Sequence, residues 1–214
     1  MTIDVQSEQA ATFRDGLLAW AENNLRSFPW RKTTDSFEVL VAEILLQKTL
    51  AERVAPVYES LLDAYPSITE LAAAEPKEVA THIETLGLQN QRSRALVKIG
   101  SELEGRGVPD DAQQLRALPY VGRYAANATL CFALGEPVPI VDANVVRVYG
   151  RAFGLDLDEK ADATWEFAAE MLPSDDFRKY NLALLDFAAE VCEPREPNCA
   201  TCYWHDRCPY ADSN

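Results

Sequence analysis

Four of the five cysteines stand close together near the C-terminus, as Cys192-EPREPN-Cys199-AT-Cys202-YWHDR-Cys208. No other stretch restricts the chain so strongly. The opening residues, MTIDVQSEQA, lack the basic and apolar regions of a signal peptide, so the chain is expected to be cytoplasmic. In that setting a cysteine cluster favours a metal site over disulfides. Four thiolates on a short loop suit either zinc or a 4Fe-4S cluster. A zinc ribbon usually shows two CxxC pairs, and this loop has one. His205 lies inside the loop and, with four cysteines present, reads as an exposed bystander. Cys131 falls in the apolar run TLCFAL and reads as core.

The rest of the chain reads as helix. Val39, Leu40, Ile44 and Leu46 mark one apolar helix with little β alternation. Ser67-Ile-Thr-Glu70 has the form of a capping box. Gly87 stands where a helix should stop, and Asp110-Asp111 can cap another. Pro56, Pro66, Pro76, Pro109, Pro119 and Pro173 punctuate the pattern at helical spacing. The expectation is an all-α protein of about ten short helices, with Gly135-Glu-Pro-Val-Pro139 as a connection between lobes. No segment is long and apolar enough to span a membrane. The net charge of −14 argues against contact with nucleic acid unless a local basic patch offsets it. The many acids and alanines resemble the composition of proteins from salt-loving cells.

Two segments carry chemistry. Residues 115–128 read LRALPYVGRYAANA. One helix should end before Pro119, a tight turn through Tyr120, Val121 and Gly122 should follow, and a second helix should start near Arg123. Backbone amides at such a helix start can hold a phosphate. Further on, PIVDANVVRVYGR places Asp142 at a helix N-terminus, with Arg147 and Arg151 one turn apart behind it. Asp is a favoured N-cap, and most such residues only cap. The helix dipole there favours a negative charge.

The hairpin resembles the helix–hairpin–helix pattern LPGVGxxTA, with Tyr120 in place of the first glycine and Ala125 in place of threonine. Tyr120 either strains the turn or is tolerated by it. The hairpin followed by Pro-Ile-Val-Asp142 resembles the helix–hairpin–helix DNA glycosylase superfamily, in which this aspartate is catalytic. The C-x6-C-x2-C-x5-C spacing resembles the cluster loop of the endonuclease III and MutY glycosylases, which implies a 4Fe-4S cluster on Cys192, Cys199, Cys202 and Cys208. FPWRKTTDSFEVLVAEILLQKT resembles the N-terminal helix of MutY-type enzymes. The resemblance implies that Gln47 fills the gap left in the duplex. Glu43 and Gln47, four apart, should share a helix face. A glutamate on an apolar face is costly to bury without work to do, and Glu43 can read a flipped base or protonate a leaving one.

Tyr124 discriminates within the superfamily. Bifunctional endonuclease III-like enzymes carry a lysine there that attacks the sugar, and MutY-type adenine glycosylases usually carry serine. Tyrosine resembles the thymine-DNA glycosylases acting on T·G and U·G mismatches, as do GLQNQRSRAL and FRKYNLALLDFAAEVCEPREPNC. The chain ends soon after Cys208, without room for the C-terminal domain usual in MutY. The resemblance implies a two-lobe fold: a helical barrel at 29–137, a cluster lobe of 1–28 with 138–214, and a DNA-binding cleft between them. It implies a monomer that hydrolyses the N-glycosidic bond of thymine or uracil opposite guanine in double-stranded DNA, without lyase activity. Lys48, the obvious substitute amine, should lie about a quarter turn from Gln47 on the helix. The alternatives are an adenine glycosylase lacking its accessory domain, and a non-catalytic DNA-binding iron–sulfur protein.

Overall fold

The computed structural model describes residues 7–213. The expectation drawn from the opening residues, 1–6, lies outside this range. The α-helices are α1 (Glu8–Asn24), α2 (Ser36–Leu46), α3 (Ala51–Ala64), α4 (Ile68–Ala73), α5 (Pro76–His82), α6 (Gln89–Leu103), α7 (Ala112–Ala117), α8 (Arg123–Phe132), α9 (Ala143–Phe153), α10 (Asp162–Glu170) and α11 (Phe177–Glu190). Short 3-10 turns fill several connections, and no strand occurs among the described residues. Among them, no helix is long and apolar enough to cross a membrane. The chain divides into two compact units, Ser27–Glu136 and Met1–Arg26 with Pro137–Asn214.

In the 27–136 unit, α2 is the central helix. Asp35 caps it, accepting from the amides of Phe37 (2.8 Å) and Glu38 (3.1 Å). Residues Phe37 to Leu45 are all buried apart from the half-exposed Glu38, so the helix is enclosed rather than amphipathic. It packs against α3, α6 and α8. Helix α6 lies against α4 so closely that a Cβ on Gly100 would stand 2.7 Å from the Ala72 amide nitrogen. Ser67 caps α4 through the Thr69 amide, and its hydroxyl donates to Glu70. Asp111 caps α7 through the Gln114 amide at 2.9 Å. Pro56 departs from expectation: it sits inside α3 rather than bounding it. Its ring costs one helical hydrogen bond, and burial of Val54, Val57, Tyr58 and Leu61 along the same helix outweighs that loss.

In the other unit, α11 packs against both α1 and α9. An aromatic cluster forms around Phe13, whose ring lies 5.0 Å from Phe153, 5.2 Å from Trp204 and 5.9 Å from Tyr203. Gly16 admits Tyr203 against α1, since a Cβ there would come within 2.6 Å of the ring. Arg26 binds the fully buried Asp186 twice, through its Nε (2.7 Å) and its backbone amide (2.9 Å). Removing the Arg26 side chain would take this cation from the buried Asp186 carboxylate, at a cost of about 3–5 kcal/mol. The cysteine loop is anchored by Trp204, whose indole donates to the Ala152 carbonyl at 2.9 Å.

Candidate active site and cysteine loop

The hairpin forms where the Pro-Tyr-Val-Gly run interrupts the helices. Leu118 closes α7, the Val121 amide donates to the Leu118 carbonyl (3.3 Å), and Val121 buries its side chain. Tyr120 adopts a left-handed backbone, φ 63°, with its ring half-exposed. This is the position where the hairpin pattern has glycine, so the tyrosine carries strain that glycine would avoid. Gly122 precedes α8 with an extended backbone (φ −85°, ψ −177°), and no side chain caps the helix. Open space surrounds the Cβ position of Gly122. Arg123 and Tyr124 open α8, whose first-turn amides lie at the N-terminal end of the helix. Tyr124 is half-buried. Ala125 is buried, and its carbonyl accepts from Thr129 Oγ1 at 2.8 Å.

Glu43 lies in the enclosed stretch of α2 and is 5% exposed. Gln47 stands one turn further on, as the C-cap of α2. Helix α2 ends at Leu46, Gln47 leaves it with φ −53° and ψ 117°, and Lys48 turns into the left-handed region. Both side chains are exposed, so Lys48 is not on the helix at all. The turn is held by three bonds that spacing alone does not reveal. Gln47 Nε2 donates to the Tyr120 carbonyl at 3.0 Å. The buried Arg92 guanidinium donates to the Gln47 carbonyl and to Thr49 Oγ1 (2.7 Å). It also reaches the carbonyls of Leu86 (3.1 Å) and Gly87 (3.0 Å). Burial pulls this guanidinium below its ordinary pKa. The signal for Arg92 was its place on the stripe Arg92, Leu96, Ile99, Leu103, otherwise apolar.

Asp142 caps α9. Its Oδ1 accepts from the amides of Asn144 and Val145, each at 2.9 Å, and its Oδ2 from Asn144 Nδ2 at 2.7 Å. The segment leading into it is held by Asn181 of α11, a buried residue with no apolar-stripe logic of its own. Asn181 Oδ1 accepts from the Ile140 amide (3.4 Å) and its Nδ2 donates to the Val138 carbonyl (3.0 Å). Arg147 and Arg151 point away from the start of α9, to the cysteine loop. Arg147 donates to the carbonyls of Cys192 (2.9 Å) and Ala188 (3.0 Å). Arg151 donates to those of Glu193 (2.7 Å) and Pro194 (2.8 Å), and lies 3.6 Å from Cys192 Sγ.

Cys192, Cys199, Cys202 and Cys208 line one cavity of about 30 Å³, beside Arg151, Val191, Pro197 and Tyr210. All are free thiols. Burial pushes the thiol of Cys192 up, against the pull of Arg151 and Arg147, and pushes that of Cys202 up to about 11. Among the described residues, no group of three or more His, Cys, Asp or Glu side chains is placed to hold a metal ion. The four cysteines face the same cavity. His205 lines the cavity and is exposed, Cys131 is fully buried in α8, and Arg195 and Arg207 are exposed on the loop.

Residues 41–174 match the HhH-GPD superfamily base excision DNA repair proteins, and the chain belongs to that superfamily. Within it, the likeness is to DNA glycosylases. A thymine/uracil-DNA glycosylase of Pyrobaculum aerophilum is 38% identical over 200 residues, covering 89% of this chain and 87% of the relative. One from Methanothermobacter thermautotrophicus is 34% identical over 214 residues, 97% and 96% of the two chains. The solved structure of a thermostable thymine-DNA glycosylase superposes with a TM-score of 0.93 at 33% identity, over 99% of this chain and all of that one (100%).

Proposed function

We propose that this protein removes thymine or uracil mispaired with guanine from duplex DNA, by hydrolysis of the N-glycosidic bond. It works as a monomer, in the cytoplasm. The observation that carries the reading is the likeness, along nearly the whole chain, to the two thymine/uracil-DNA glycosylases. The site chemistry agrees with it. The amides of the turn from Tyr120 through Val121 and Gly122 to Arg123 hold a backbone phosphate, and Gln47 enters the duplex beside it. The target base leaves the stack before its bond is cut. Glu43, buried in α2, accepts a hydrogen bond from the extruded base or protonates it as it leaves. Asp142 stabilises the positive charge that develops on the sugar and orients the attacking water. Its carboxylate is already held by three donors, so little reorganisation is needed when that charge appears. Tyr124 offers a phenol where a lyase needs an amine, so no Schiff base forms and the DNA backbone stays whole.

Cys192, Cys199, Cys202 and Cys208 suit a 4Fe-4S cluster. Their sulfurs line one cavity and none is tied up in a disulfide, so all four would be available to hold it. Bound there, the cluster supplies cross-linking of the loop rather than chemistry on the sugar. The four side chains would bind it as thiolates, giving up their protons. A panel of duplexes, each with one altered pair, tests the substrate assignment. Base release from T·G and U·G, and none from A-containing mismatches, is expected. Preferred release of adenine would make the protein an adenine glycosylase instead.

A further inference from the structure

Four non-glycine residues have left-handed backbone among the described residues. Three of them, Lys48 (φ 55°), Leu88 (φ 52°) and Tyr120 (φ 63°), lie in three separate turns of the 27–136 unit. Such backbone persists only where its surroundings over-determine it. Here the surroundings are a small set of side-chain bonds. The Arg92 guanidinium ties the first turn, at Gln47 and Thr49, to the second, at Leu86 and Gly87. The Gln47 amide ties the first turn to the third, at Tyr120. Each turn carries exposed side chains: Gln47 and Leu50 (69% exposed) on the first, Leu88 (53%) on the second, Tyr120 (48%) on the third.

Exposed apolar side chains on strained turns, braced from behind, are what an edge needs to part stacked bases. Unstacking is resisted by the duplex, and a loose turn would deform before the stack did. We propose that Arg92 is a positioning residue that locks the turns carrying Gln47 and Leu88 into one stiff edge, which opens the duplex at the mismatch. The inference rests on the glycosylase reading above and adds to it a residue that touches neither base nor sugar. A guanidinium that merely filled the core would affect every substrate alike. One that braces an opening edge matters most where a base pair must be broken.

Arg92→Met removes all the donors at similar volume, and Arg92→Lys keeps the charge on a single nitrogen. Each full-length variant is melted and then assayed by single-turnover release of uracil from two duplexes. One holds uracil opposite guanine, and the other holds uracil opposite an abasic-site analogue, with no pair to break. Release from the U·G duplex should fall at least about tenfold in the Met variant and less in the Lys variant, and release of the unpaired uracil should fall much less. The fluorescence of 2-aminopurine beside the mismatch, which rises when the stack opens, should rise less than with the parent protein. Equal losses on the two duplexes, or no loss on either, overturn the proposal. If the Met variant does not fold, the Lys variant carries the same comparison. A parent protein that releases uracil from neither duplex is a different result. It removes the glycosylase reading, and the proposal with it.

Discussion

At Asp142, capping and catalysis make separable demands on one carboxylate. Capping needs an oxygen that accepts from the Asn144 and Val145 amides, and an amide oxygen serves as well. The proposed reaction needs negative charge. Asp142→Asn should therefore melt close to the parent and bind mismatched duplex as tightly or more tightly. Base release should drop by at least about a hundredfold, because charge stabilisation is usually the largest catalytic contribution. Single-turnover kinetics beside a melting curve checks this, and a variant that turns over like the parent removes Asp142 from the mechanism. Its capping role was legible because Asp before a helical stripe is a strong local signal. Glu43 was legible for a related reason, a charge inside an apolar run. The end of α2 was not legible, because the helix stops at Leu46 with no glycine or proline to mark it. A lysine takes the left-handed position, and the bonds that hold it come from Arg92 and Tyr120, far along the chain.

The elements around the cysteine loop show how a helix can serve a neighbouring loop. Helix α9 begins at Asp142 and ends against the loop, where Arg147 and Arg151 hold the carbonyls of Cys192, Glu193 and Pro194. The one-turn spacing of these arginines was legible, but not what they hold, because their acceptors are backbone atoms without a sequence signature. Protein purified without air should be brown and contain iron and sulfide in the proportions of one 4Fe-4S cluster. Elemental analysis showing one zinc and no iron would contradict the assignment of Cys192, Cys199, Cys202 and Cys208. The hairpin is the opposite case. Its Pro119, Gly122 and flanking helices could be read locally, and the structure adds that Tyr120 adopts the strained backbone that glycine would otherwise supply.

For the whole molecule, the all-helical class was legible because apolar residues recur at helical spacing and almost nowhere alternate. The closures that make the helices compact were not. The Arg26–Asp186 pair, the Tyr203 ring against Gly16 and the Gly100 contact with Ala72 join residues far apart in sequence or depend on a missing Cβ. The net charge of −14 also belongs to this scale. Acids such as Asp156, Asp158, Glu159 and Asp162 are exposed, so their repulsion is open to screening. Added salt should keep the fold intact while weakening phosphate contacts, so activity should peak at an intermediate concentration. A steady fall in both melting temperature and activity from low salt upward would remove the link to a salty cytoplasm. The central claim is hydrolytic release of a mispaired pyrimidine, and an end-labelled T·G duplex tests it most directly. Incubated with the protein and run on a denaturing gel, the thymine strand should stay whole until alkali or heat breaks it at the mismatch, and borohydride should trap no adduct. Strand breaks without alkali together with a borohydride-trapped protein–DNA adduct would show an amine at work. A strand that alkali cannot break would show that no base is released.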